Sequence, residues 1–449
     1  MVEKRKNEDE SIIPTSEHVK KLATNESVSE DVVRERIVIL LGYSGFGYHG
    51  IQINEPLKTI EGDIVHALKD LGYLKKATLD EKHLVIARAA RTDKGVHTLG
   101  NLVSLNVYVQ NSLNPSELRE KLNAKLSRQI RVWDVFQVQK YFNPRISCES
   151  RTYEYLIPSF SLIPPKDSTP LFKKSQKNFE REPKNQLDSL LLSSTVDTRK
   201  FWEQVEIRCK KLQDEFKENP ETFTNPFTGF FPEKPIPAHI KVPHEAKLKK
   251  ALKNADHFYY MNYRVPEERL ELLQKVFQLY IGRHNFHNFT ITQDPRAPSN
   301  YRTIESIECG MPFIYENWEW IPVTIRGNSF MLNQIRKMIA HALMVIRSCA
   351  SLSVITKALS PEVSMNISKS PGHVLVLKDI SFSTYNKSLQ DENHVKIDLV
   401  KYKEQMENLK KEVIYPDIIQ LEQKEKMFFS FLAYADQHTK DQFDYLFQP

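Results

Sequence analysis

From Leu102 to Val109 the chain alternates without a break, with Val103, Leu105, Val107 and Val109 on one side and Ser104, Asn106 and Tyr108 between them. A period of two puts the four apolar residues on one face of a strand. A strand with one dry face needs neighbours beside it and a second layer over it. Ile37–Leu41 is instead a continuous β-branched and leucine run ending at Gly42, which reads as a buried strand. Arg131–Val138, Arg151–Ile157 (stopped by Pro158) and Val374–Leu377 read as further strands. Helical spacing appears between them: Ile60, Ile64, Leu68 and Leu71; Pro115–Leu126; Glu267–Tyr280; Tyr402–Lys411; and Asp417–Tyr434. Met331–Arg347 has the clearest amphipathic pattern of all. Strands and helices mixed throughout predict an α+β fold.

The same reading divides the chain into five parts. Residues 1–36 are a polar, aperiodic tail, 37–158 an N-terminal half, and 256–385 a C-terminal half, followed by a helical extension over 386–449. Between the halves, 159–255 reads as an insertion, marked by Pro164-Pro165, Lys173-Lys174 and a helix near Phe201–Phe216. The 449 residues include no run of about 18 apolar ones, so no membrane span is expected. The opening places Lys4-Arg5-Lys6 beside Glu8-Asp9-Glu10, without the apolar stretch of a secretory leader and too acidic for a mitochondrial one. A nuclear location is expected, with the mitochondrion as the alternative. Net charge is −2 over residues 1–36 and −3 over 381–449, which leaves +11 for the middle of a chain totalling +6. A basic middle suits a polyanion partner. Cys148, Cys209, Cys309 and Cys349 are scattered without a Cys-x-x-Cys pair, and read as reduced structural thiols.

Three segments carry candidate chemistry. In Arg88-Ala-Ala-Arg91-Thr92-Asp93-Lys94-Gly95-Val96-His97 a carboxylate sits in a polar loop among Arg88, Arg91 and Lys94. Nearby cations favour the ionised Asp that a nucleophile or base requires; the alternative is a simple turn. In Arg145-Ile-Ser-Cys-Glu-Ser-Arg151-Thr-Tyr153-Glu-Tyr155, the two tyrosines share a strand face with Arg151. Such a face suits a flipped base and its phosphates, or is a core tyrosine pair. Along the third segment Met331, Leu332, Ile335, Met338, Ile339, Ala342, Leu343 and Ile346 form an apolar helix face with Arg336 at its edge. A half-buried arginine there needs a carboxylate partner or must snorkel to water. Gly42-Tyr43-Ser44-Gly45-Phe46-Gly47 lacks the spacing of a dinucleotide or phosphate loop, and no nucleophile elbow is present. His284 and His287 lack a third ligand, although a structural zinc stays open.

Together these segments resemble the TruA family of pseudouridine synthases, in its eukaryotic tRNA and snRNA branch. The resemblance lies in Arg91-Thr92-Asp93-x-Gly95-Val96-His97, in Arg145-x-Ser147 with Arg151-x-Tyr153-x-Tyr155, in Phe330 and Arg336, and in Leu375 of Gly372-His373-Val374-Leu375. Tyr43-Ser44-Gly45-x-Gly47-Tyr48-His49-Gly50-x-Gln52 and His284-Asn285-Phe286-His287-Asn288-Phe289 are similar to the eukaryotic branch. Resemblance covers about 37–158 and 256–385, with a weaker echo near Tyr415–His438; Val374 stands where many members have glycine.

The resemblance implies a pseudouridine synthase fold, two ferredoxin-like halves forming one continuous, mostly antiparallel sheet flanked by helices around a central cleft. It implies that Asp93 attacks or deprotonates the ribose, that Arg336 pairs with Asp93, and that Tyr153 stacks on the uracil and helps take its C5 proton. It also implies that Arg91 fills the space of the flipped nucleotide, with Thr92, Gly95, His97, Arg145 and Leu375 on the substrate. No cofactor is required by this chemistry. The implied partner is tRNA, with U2 snRNA and mRNA as further candidates, and a monomer is expected. One carboxylate is enough, since an isomerase returns the same base and activates no water, whereas glycoside hydrolysis usually takes two. The rival readings are a non-catalytic RNA-binding or tRNA-folding protein on the same fold, a nuclease or nucleoside hydrolase, and a scaffold built on the C-terminal helices.

Overall fold

The computed structural model describes residues 32–74, 84–110, 112–138, 142–227, 242–291, 294–389, 396–437 and 441–447. Ten strands form one sheet: β1 (Val32–Tyr43), β2 (Ala87–Arg88), β3 (His97–Gln110), β4 (Ile130–Gln137), β5 (Ser150–Pro158), β6 (Gly282–Asn285), β7 (Tyr301–Cys309), β8 (Phe313–Tyr315), β9 (Trp318–Gly327) and β10 (Leu375–Ser381). Their order is β4-β1-β3-β10-β5-β9-β7-β6, with β2 added to β3 and β8 to β9. Every described pairing is antiparallel except the junction, where β10 runs parallel to β3 over His97 and Thr98. That short seam joins the two half-sheets and lies immediately after the Asp93 loop. The mixed α+β architecture and the single, mostly antiparallel sheet are as the sequence implies.

The N-terminal half-sheet is dry on both faces. On one, Ile37, Ile39, Leu41, Val103, Leu105 and Val107 meet Ile60, Ile64 and Leu68 of α1 (Ile60–Asp70) and Leu118 and Leu122 of α2 (Pro115–Lys125). On the other, Val38, Leu40, Leu102 and Trp133 join a core that includes Leu399, Met406 and Leu409. The alternation at 102–109 therefore marks a half-exposed strand only toward its end, where Asn106 and Tyr108 are half-buried. Ser104 is fully buried. β1 also starts earlier than the apolar run, because Val32–Arg36 keep pairing with Gln110–Asn106.

Four helices follow β5, α3 (Pro170–Glu180), α4 (Gln186–Ser193), α5 (Val196–Glu218) and α6 (His244–Asn262), and then α7 (Glu267–Gln278). Arg269 of α7 is fully buried and donates to the carbonyls of Leu162 and Ser194, tying α7 to the turn after β5 and to the C-terminal end of α4. α8 (Gln334–Arg347) is buried along most of its length, and α9 (Lys403–Leu409), α10 (Tyr415–Glu425) and α11 (Met427–Gln437) complete the fold. At the end of α8, Arg347 makes a bidentate, buried ion pair with Asp436 of α11 (2.7 and 2.9 Å) and donates to Ile163 O. No helix among the described residues is long and apolar enough to cross a membrane. The four cysteines are free thiols.

Candidate active site

The Asp93 loop crosses from β2 to β3, so both of its ends are fixed by the sheet. Behind it, buried Asn101 takes Ala90 from both sides: its Oδ1 accepts from Ala90 N (3.2 Å) and its Nδ2 donates to Ala90 O (2.9 Å). Thr92 is buried, its hydroxyl 2.6 Å from that of Tyr43, and its carbonyl accepts from Ile51 N at 3.2 Å. The loop turns at Gly95, whose φ of +76° suits glycine, and closes with Val96 N donating to Asp93 O. The segment Tyr43–Gln52 is thus the bed on which the loop lies.

Asp93 opens into a cleft of about 1030 Å3. Seven cations line it (Arg88, Arg91, Lys94, Arg145, Arg151, Arg302 and Arg336), and Asp93 is the one carboxylate among the described lining residues. Thr92, Tyr153 and Leu375 also line it, so most of the residues singled out from sequence converge on one cleft. Gly95 and His97 do not. His97 is buried beneath the loop: Gly45 N donates to its Nδ1 (3.1 Å) and its Nε2 faces His373 O (2.8 Å). This pair of partners fixes the Nε2–H tautomer, and burial presses its pKa down to about 4. This neutral imidazole pins β3 to the residue before Val374-Leu375 and does not line the cleft. Val374 is fully buried and does not reach the cleft.

The electrostatics differ from the local sequence pattern. Burial raises the Asp93 pKa above its ordinary value, while Arg336 and then Lys369 pull it back. Arg88 instead pairs with buried Glu61 at 2.5 Å. Arg336 lies at the start of α8, held by Nε to Ser370 O (2.7 Å) and Nη1 to Asn333 Oδ1 (3.4 Å). Its charge acts on Asp93, but among the described residues no hydrogen bond or ion pair joins the two. The expected direct pair is thus a through-space interaction, and the half-buried arginine donates to a carbonyl and an amide oxygen instead. α8 begins three residues later than the apolar pattern, at Gln334, because Asn333 adopts a left-handed φ of 64° and Gln334 Oε1 accepts from Met331 N.

Tyr153 is buried, packs edge-on to Phe330 with ring centroids 5.2 Å apart, and has its pKa pushed up to about 12, chiefly by desolvation. Its strand neighbour Tyr155 belongs to the core, donating to Ser370 Oγ and Pro371 O. Three features had no sequence signal: Asn101 as an anchor, Arg302 from β7 in the lining, and Lys369 acting on Asp93. Arg302 and Lys369 come from segments far from Asp93 in sequence, and Asn101 stands in the alternating strand that follows the loop, where its spacing marks it only as a polar residue. Among the described residues no group of three His, Cys, Asp or Glu could hold a metal ion. His284 and His287 are engaged with Ile281 O and Val363 O.

Residues 276–383 match the family model described as tRNA pseudouridine synthase. The chain is 61% identical to tRNA pseudouridine synthase 2 of Schizosaccharomyces pombe over 448 residues, covering 99% of each protein. It is 33% identical to tRNA pseudouridine synthase 1 of the same yeast, over 93% of this chain and 86% of the relative. It is also 33% identical to tRNA pseudouridine synthase 1 of Saccharomyces cerevisiae, over 91% and 72%. With this likeness running through the whole chain and Asp93 set in a basic cleft at the seam of the sheet, the protein belongs to the TruA family of pseudouridine synthases.

Proposed function

We propose that the protein is an isomerase that converts uridine to pseudouridine in tRNA, with Asp93 as its catalytic carboxylate. The observation that carries this reading is the placement of Asp93 as the one described carboxylate in a cleft lined by seven cations. A nucleotide flipped into the cleft brings its phosphates to the cations and its ribose to Asp93. Asp93 then attacks the ribose C1′ or removes a ribose proton, and the C1′–N1 bond breaks. The uracil turns and C5 bonds to C1′ as the Asp93–C1′ bond breaks or the ribose proton is returned; the C5 proton leaves to solvent and N1 gains one, so the base keeps its composition and no water is consumed.

Arg336 lowers the Asp93 pKa and favours the anion that either first step needs. Tyr153 and Leu375 offer the base its flat and apolar surfaces. Desolvation pushes the Tyr153 pKa up to about 12, further from neutral pH, which opposes the phenolate that taking the C5 proton would need. Arg91 is exposed at the rim, where it can fill the space left by the flipped nucleotide. Arg145 is carried there on the turn Pro144–Ser147 and is proposed to take a phosphate.

The proposal extends to U2 snRNA and mRNA uridines as further substrates, to a monomer, and to action in the nucleus. The last rests on Lys4-Arg5-Lys6, outside the described residues. The test is release of tritium from unmodified tRNA transcripts labelled at uridine C5, with no cofactor added. Wild-type release that Asp93→Ala abolishes while tRNA binding persists supports the reading. Binding without release overturns it in favour of a tRNA-folding protein. Free uracil in the products would favour the hydrolase.

A further inference from the structure

The Asp93 loop and the segment leading to Arg336 come from opposite half-sheets, and one side chain ties them together. Arg151, near the start of β5, donates from Nη2 to Ala89 O at 2.8 Å, four residues before Asp93. From Nη1 it donates to Asn328 O at 2.9 Å, in the turn that leaves β9 for Arg336. A longer contact from Nη2 reaches Arg145 O at 3.5 Å, on the turn that carries Arg145 into the cleft. Both far ends are anchored. Asn328 N donates to Thr303 O of β7, and its side-chain Oδ1 accepts from Thr303 N. Ala89 N donates to Leu102 O and the next residue is clamped by Asn101.

We propose that Arg151 is a positioning residue, a strut across the floor of the cleft that fixes Asp93 relative to the Arg336 segment, rather than a phosphate contact. The chemistry of the group supports this. A planar guanidinium holds two carbonyls at a fixed separation and angle, which a lysine ammonium cannot do. Both terminal nitrogens are committed to protein carbonyls, whereas the exposed Arg91 and Lys94 make no such bonds among the described residues and are the cations turned to RNA phosphates. Without the strut, Ala89 O and Asn328 O lose a charged donor, and the Asp93 loop keeps its anchors on Asn101 and the Tyr43–Gln52 segment but loses its tie to the Arg336 segment.

This inference rests on the isomerase reading, and one experiment separates the two. The full-length protein and its Arg151→Ala and Arg151→Lys variants are given excess-enzyme, single-turnover reactions on tRNA transcripts tritiated at uridine C5. Filter binding measures the Kd for the same RNA. Tritium release by the wild type establishes the isomerase reading; its absence defeats that reading whatever Arg151 does.

With the wild type active, the strut predicts a saturating rate about 100-fold lower in both variants, from a loop misplaced by a fraction of an ångström. The Kd stays within about 3-fold, and added guanidinium ion restores part of the rate to Arg151→Ala. A Kd weakened more than the rate, with Arg151→Lys close to wild type, makes Arg151 a phosphate contact and overturns the proposal. Wild-type rates in both variants overturn it as well. If Arg151→Ala loses its cooperative melt, Arg151→Lys decides alone: a wild-type saturating rate refutes the strut, and a rate about 100-fold down at unchanged Kd supports it.

Discussion

Gly50 is the position where backbone conformation and the Asp93 loop meet. Its φ is +97°, and a Cβ built there would stand 2.6 Å from Thr92 O and 3.4 Å from the Asp93 carbonyl carbon. Gly47, three residues earlier, has a similar φ of +80° with nothing within 4 Å. Alanine at either site carries the left-handed penalty of about 1–2 kcal/mol. Only Gly50→Ala adds a clash. Restoring the 3.4 Å that marks ordinary contact requires the loop backbone to retreat by about 0.8 Å, which also stretches the 3.2 Å bond from Ile51 N to Thr92 O. Overpacking of this kind costs about 1–3 kcal/mol more, and a displacement near 1 Å beside the reacting carboxylate lowers the rate by about 10- to 100-fold. Thermal melts and saturating tritium release on the two variants therefore separate stability from catalysis. Gly47→Ala melts lower yet keeps its rate within about 2-fold, while Gly50→Ala melts lower still and loses rate. Equal rates in the two variants would refute the claim that the Tyr43–Gln52 segment sets the position of Asp93.

Three further outcomes are expected. Buried His97, His257 and His341 have pKa values depressed from 6.5 to about 4, about 3 and about 3. Their contribution is therefore whole above pH 6.5 and declines as pH falls toward those values, at about 1.4 kcal/mol per pH unit per histidine. Denaturant melts of His341→Gln across pH 4.5–6.5 are predicted to be shallower by about one proton; an unchanged slope contradicts the neutral imidazole. Asp436→Ala strands the Arg347 charge and loses about 3–5 kcal/mol, whereas Asp436→Leu combined with Arg347→Met recovers part of it in urea melts; a double variant less stable than Asp436→Ala counts against the argument. Arg336 lowers the Asp93 pKa, so the acid limb of the single-turnover pH profile moves upward in Arg336→Gln, and an unmoved or lowered limb counts against that coupling.

The parts legible in the sequence are those set by local periodicity or by a contiguous motif. Ile60, Ile64 and Leu68 announce α1, and Thr59 caps it. The Asp93 loop announces itself because its polar run interrupts two strands. What stayed hidden depends on distant segments. The second dry face of β3 comes from residues about 300 positions later, Leu399, Met406 and Leu409. Arg88, Arg91 and Lys94 look like partners of Asp93 along the chain, yet Arg88 belongs to Glu61 and the cations that move the Asp93 pKa are Arg336 and Lys369. Arg336 called for a carboxylate and found the carbonyl of Ser370. Gly95 and His97 lie within the motif that carries Asp93, but one makes the turn and the other is buried beneath it.

The central claim is that one carboxylate, Asp93, rearranges a uridine without losing it. The most direct measurement digests tRNA to nucleosides after incubation with the wild type or Asp93→Asn and separates pseudouridine from uridine by chromatography. Pseudouridine is expected from the wild type with an equal loss of uridine, and none from Asp93→Asn at comparable tRNA affinity. Pseudouridine made by Asp93→Asn at the wild-type rate would contradict it.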